Sequence, residues 1–117
     1  MEKEGFNIKI SIIIPTLQKD INILNQLVSE MDLDEYVGEI IIIDNSLKGY
    51  SYNSSKIRVI TPEQNLYVNQ AWNLGIENAK YNVFGILNDD IHLFLNEHIS
   101  NMVCVINVDL INRVWRK

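Results

Sequence analysis

Two short runs of β-branched residues constrain this chain more than any other feature: residues 9–14 (KISIII) and residues 38–43 (GEIIII). Neither alternates apolar with polar, as a strand wetted on one face would. A short continuous apolar run bounded by turn residues is the pattern of a strand covered on both faces. Each run ends in a polar break, Pro15-Thr16 after the first and Asp44-Asn45-Ser46 after the second. Between them, Leu24, Leu27, Val28 and Met31 recur at i, i+3, i+4 and i+7, so residues 21–31 read as an amphipathic helix with Asp20 placed to cap it.

The rest of the chain repeats this plan. Residues 56–60 read as a third strand closed by Thr61-Pro62, because proline cannot donate to a continuing ladder, and Pro15 is expected to stop the first strand for the same reason. Residues 66–80 read as a second helix with Val68, Ala71, Trp72, Gly75 and Ala79 on its apolar face and Asn65 as its cap; residues 82–87 read as a fourth strand. Strands alternating with helices imply right-handed crossovers. The expected fold class is therefore α/β, a largely parallel sheet with helices on both faces, in one domain spanning residues 1–117.

Composition narrows the function classes. Hydrophobic residues make up 47% of the chain and charged residues 21%, which is ordinary for a soluble folded domain. A formal net charge of −5 argues against nucleic acid as partner. Cys104 lies in an apolar run and reads as a buried, inert thiol, and a single cysteine allows no disulfide within the chain. The amino end lacks a signal-peptide core and no apolar segment reaches the roughly 18 residues of a transmembrane span, so a cytoplasmic location is expected.

The chemistry concentrates where the fourth strand ends, at Asn88-Asp89-Asp90. Adjacent carboxylates beyond a buried strand repel each other and persist there where a cation needs them; the same residues also serve as a solvated turn or a helix cap. Sheets of this class bind ligands beyond the carboxyl ends of their strands. Pro15-Thr16, Asp44-Asn45-Ser46 and Asn88-Asp89-Asp90 are therefore expected to meet at one rim. Neither a GxGxxG nor a Walker sequence is present, so phosphates are expected to be held mainly through a metal. Lys19 and Lys56 read as solvated, His92 and His98 as surface residues, and Trp72 as core.

In order and spacing, four stretches resemble the nucleotide-binding half of a family 2 glycosyltransferase with the GT-A fold: residues 11–16 (SIIIPT), residues 39–46 (EIIIIDNS), residues 65–75 (NLYVNQAWNLG) and residues 87–90 (LNDD). The third is similar to the family's Asn-x-Gly-x-x-x-Ala-x-Asn-x-Gly segment, with Tyr67 where the family often has glycine. The fourth sits where the family carries its DxD-type metal motif, with Asn88 in place of the first Asp. The resemblance implies a Rossmann-like sheet that binds a nucleotide-diphosphate sugar, a UDP-sugar before others, through Mn²⁺ or Mg²⁺. Pro15, Thr16, Asp44, Asn45, Asn65, Asn88 and Asp89 would contact the donor, with Thr16 and Asp44 at the base and ribose, and Asp90 would be the metal ligand. The family places its acceptor surface and catalytic base further toward the carboxyl end, so the chain is expected to be truncated relative to a full transferase, and no catalytic residue is nominated. Two alternatives accompany this reading. One is a non-catalytic nucleotide-binding or interaction module whose apolar residues 99–115 seek a protein partner or a second copy. The other is a nucleotidyltransferase, disfavoured by the lack of a Gly-rich phosphate loop.

Overall fold

The apolar runs form the strands they predict. In a computed structural model the described residues are 9–89, together with the backbone of Cys104 and Val105. Their order is β1 (Ile10–Thr16), α1 (Ile21–Leu33), β2 (Val37–Asp44), β3 (Ile57–Ile60), α2 (Asn69–Glu77), β4 (Val83–Ile86) and β5 (Cys104–Val105). The sheet runs β3-β2-β1-β4-β5, with the first four strands parallel and β5 antiparallel to β4. This is a Rossmann-like α/β fold.

The strand order explains why the apolar runs do not alternate. From β1 the chain moves one way to β2 and β3, then crosses back to place β4 on the other side of β1. Right-handed crossovers in opposite directions put their helices on opposite faces of the sheet. On one face Ile12, Ile14, Ile40 and Ile42 pack with Leu24, Leu27, Val28 and Met31 of α1. On the other, Ile13, Ile41, Ile43 and Phe84 pack with Ala71 and Ile76 of α2. Every residue of β1 is buried. Gly75 lets α2 approach the sheet closely, since a Cβ there would lie 2.4 Å from Ile13 Cγ2.

Asp20 caps α1 as expected, accepting from the amides of Asn22 and Ile23. Two expectations fail for local reasons. Pro15 does not stop β1, which continues to Thr16 in register with Asp44. Ile13 O accepts from Leu87 N and Thr16 O accepts from Asn45 N, so alternate residues of β1 face β4 and β2, and the nitrogen of Pro15 faces the β4 side. There the pairing with β4 has already ended at Ile13↔Ile86. The next bond of that ladder would run from an amide at position 15 to the Leu87 carbonyl; Pro15 cannot supply it, and Trp72 Nε1 approaches that carbonyl instead at 3.4 Å.

The second correction concerns α2, which begins at Asn69 rather than near residue 66, with Val68 in the cap position and no side-chain cap. Asn65 does not cap it. Its Oδ1 accepts from Tyr67 N at 2.7 Å and closes a tight turn. Tyr67 has φ +62°, in the left-handed region, so the chain cannot be helical there. Expectations about Asp90, His92, His98, the Cys104 side chain and the apolar residues 99–115 lie outside the described residues.

Candidate functional site

Reversal of strand order between β1 and β4 creates a switch point, and the crevice beyond the strand ends at such a point is where open α/β sheets bind ligands. A cavity of about 240 Å³ opens there, lined by Pro15, Thr16, Leu17, Lys19, Asn45, Asn65, Tyr67, Val68, Asn88 and Asp89. Six of the seven residues proposed from the sequence to contact a donor are in this lining, drawn from four separate stretches of chain. Asp44 is not.

Thr16 is the centre of the rim. Its hydroxyl donates to Asp89 Oδ2 at 2.7 Å and accepts from Gln18 N at 2.8 Å. With a relative exposure of 2%, it ties the end of β1 to the loop after β4 and fixes one oxygen of the Asp89 carboxylate. Asn88 beside it is exposed.

Asp44 lies in register with Thr16 but turns inward, and it is fully buried. One carboxylate oxygen accepts from Ser46 N, Ser46 Oγ and Gln18 Nε2, and the other accepts from Gly49 N at 2.6 Å. Burial alone would raise its pKa, but the bonds from Ser46, Gln18 and Gly49 outweigh that and hold it below the ordinary aspartate value. As the contacts stand, this carboxylate organises the loop after β2.

Asn45 performs the matching task for the segment before α2. Its Nδ2 donates to Tyr67 O at 2.9 Å and its Oδ1 accepts from Leu66 N at 3.0 Å, so one side-chain amide pairs with the chain as a neighbouring strand would. Together with the Asn65 turn, this clamp holds Tyr67 at positive φ. Gln18 and Leu47, at φ +56° and +66°, are the other non-glycine residues at positive φ among those described. All three sit in loops at this rim, and backbone strain of this kind clusters at binding sites.

Three residues here have a part that the sequence reading does not give them. Gln18, whose Nε2 reaches Asp44, Ser46 and Gly49 O, carries no sequence signal for that bridge. Lys19, read as solvated, lines the cavity; its place three residues past β1 was the available clue. Tyr67 was flagged as a departure at a glycine position, and its backbone indeed takes the conformation glycine favours.

Among the described residues no group of three His, Cys, Asp or Glu side chains could hold a metal. A divalent cation bound partly by substrate phosphates needs only one or two protein carboxylates, and Asp89 supplies one at the cavity. The residues present fit that kind of shared site.

No family model and no curated protein matches the sequence. Solved structures do match in fold. S. aureus TarS residues 1–349 aligns over 71% of this chain and 28% of that one, with TM-score 0.52 and 18% identity. A second S. aureus TarS structure aligns over 71% and 17%, with TM-score 0.49 and 20% identity. TarS is a glycosyltransferase. At these identities the likeness is one of fold, and the chain spans less than a third of TarS residues 1–349. No helix among the described residues is long and apolar enough to cross a membrane.

Proposed function

We propose that this chain is the donor-binding part of a family 2 glycosyltransferase with the GT-A fold, holding a nucleotide-diphosphate sugar, with UDP the first candidate nucleotide, for transfer to an acceptor hydroxyl. The observation that carries this reading is the cavity at the β1/β4 switch point. It gathers residues from the stretches that resemble that family, at the place where the fold binds ligands.

The parts divide by chemistry. Thr16 and Asn45 offer buried hydrogen-bonding groups at the strand ends for the nucleoside, while Asp44 holds the neighbouring loop in shape. Lys19 adds a cation on the cavity, suited to phosphate oxygens. Asp89, with Asn88 and Asp90, would hold Mn²⁺ or Mg²⁺. Such a metal supplies charge neutralisation to a departing diphosphate. The hydroxyl of Thr16 meanwhile fixes the rotamer of Asp89.

Calorimetry of the chain with nucleoside diphosphates, with and without Mn²⁺, tests this reading. Binding should be strengthened by the metal. Asp90→Ala and Asp89→Ala should each reduce the metal dependence, whereas Asp44→Ala should weaken nucleotide binding with or without metal. Absence of nucleotide binding, or binding indifferent to metal in the parent and both aspartate variants, defeats the donor-site assignment.

A further inference from the structure

We infer that Tyr67 is a stacking platform for the nucleobase of the bound nucleotide and so decides how strongly aromatic-base ligands are held. The inference rests on the donor-site reading above and adds to it a role for the residue that departs from the resembling pattern, Tyr67 standing where the family often has glycine.

Backbone and side chain at Tyr67 pull against stability. A bulky residue at φ +62° carries strain that glycine would not, and asparagine would carry less. The conformation is nonetheless enforced from three sides, by Asn65 Oδ1 on Tyr67 N, Asn45 Nδ2 on Tyr67 O and Asn45 Oδ1 on Leu66 N. Asn45 is itself 5% exposed, so this clamp is built into the end of β2. The strained backbone does not serve to bury the side chain. Tyr67 is 73% exposed and belongs to neither apolar cluster.

What the clamp achieves is to set an aromatic residue on the lining of the cavity. Leu17 and Val68, each 41% exposed, line it as well and widen the apolar surface. Polar groups of Thr16, Asp89 and Lys19 share the same space. A ligand matched to both kinds of surface carries a flat ring at one end and anionic phosphates at the other. Stacking on an exposed aromatic suits such a ring, because a tyrosine face offers rigid area with few rotamers to freeze.

The experiment measures binding of UDP, GDP and inorganic pyrophosphate, each with Mn²⁺, to the parent chain and to Tyr67→Asn and Tyr67→Phe. Asparagine keeps the left-handed backbone and removes the ring; phenylalanine keeps the ring. We expect Tyr67→Asn to melt near or above the parent, to lose on the order of 5- to 100-fold in nucleotide affinity, and to bind pyrophosphate as the parent does. Tyr67→Phe should bind nucleotides nearly as the parent does. Parent-like nucleotide binding by folded Tyr67→Asn overturns the stacking role and leaves the donor site standing. Equal loss for UDP and pyrophosphate also overturns it, since Tyr67 would then shape the cavity rather than meet the base. If the parent binds no nucleotide, the donor-site reading falls and this inference with it.

Discussion

Thr16 shows how much of this site depends on single hydroxyls and amides. It both donates to Asp89 and accepts from Gln18, so replacing it by the isosteric valine removes two hydrogen bonds and leaves the carboxylate unsteered. Thr16→Val should lower stability by about 1–2 kcal/mol and weaken metal-dependent nucleotide binding, while Thr16→Ser restores both. Denaturant melts and calorimetry read the two effects separately; a valine variant that binds like the parent would remove Asp89 from the site. At this scale the sequence was partly legible. Pro15, Thr16, Asn45, Asn65, Asn88 and Asp89, which line the cavity, stand out in the sequence because each directly follows an apolar run or belongs to a spaced motif. The inward turn of Asp44, the bridge made by Gln18 and the two-sided clamp of Asn45 were not legible. Gln18 and Asn45 reach partners 21 or more residues away, and Asp44 is held by its own loop through Ser46 and Gly49 as well as by Gln18; residue type and local spacing do not encode which of several polar partners a buried side chain will meet.

Among the elements, strands were more legible than helix boundaries. A continuous run such as Ile40–Ile43 has few ways to satisfy both its backbone and its side chains except between layers, and it forms β2 accordingly. Helix α2 was harder because the apolar period starting at Val68 fits a helix, yet two asparagine side chains bind the backbone of Leu66 and Tyr67 first and delay the helix to Asn69. Competition between side-chain and helical hydrogen bonds decides that boundary. Once formed, α2 is seated by Gly75 against Ile13. On helix propensity alone Gly75→Ala would stabilise α2 by about 1 kcal/mol. A methyl group 2.4 Å from Ile13 Cγ2 reverses the sign. We expect a net loss of about 1–3 kcal/mol. Pairing with Ile13→Val, which removes the Cδ1 methyl but leaves Cγ2, should recover little of it, whereas Ile13→Ala should recover more of the clash term in a double-mutant cycle. Additive losses across the Gly75→Ala and Ile13→Ala pair would show that the contact is not what seats the helix.

Across the whole molecule, the sheet keeps its two buried carboxylates apart. Asp44 pairs in register with Thr16 at the cavity end of β1, and Glu39 pairs with Ser11 five residues earlier, roughly 16 Å away along the strands. Glu39 is 2% exposed and ties three segments together. It accepts from Ser11 Oγ at 2.6 Å, from Lys80 N at 2.6 Å and from Arg58 Nη1 at 2.9 Å, while Arg58 also donates to Asn78 O at 2.8 Å. These bonds hold the loop after α2 and strand β3 to the starts of the inner strands β1 and β2. Burial by itself would raise the pKa of Glu39, but the bonds from Ser11, Lys80 and Arg58 outweigh it, and the value falls below the ordinary 4.5. For a depressed carboxylate the linked stability is fully present above the unfolded-state value and disappears as pH falls through the lower folded-state value. Glu39→Gln should therefore cost about 1–3 kcal/mol at neutral pH, and the gap between parent and variant should narrow as pH drops below about 4.5. Because the network lies at the far end of the strands from the cavity, nucleotide affinity of the folded variant should match the parent. Urea melts from pH 7 to pH 3, with nucleotide titrations at neutral pH, check both halves: a gap that stays constant into acid would mean Glu39 is not ionised in the fold, and a weakened affinity would mean that the two ends of the sheet are coupled.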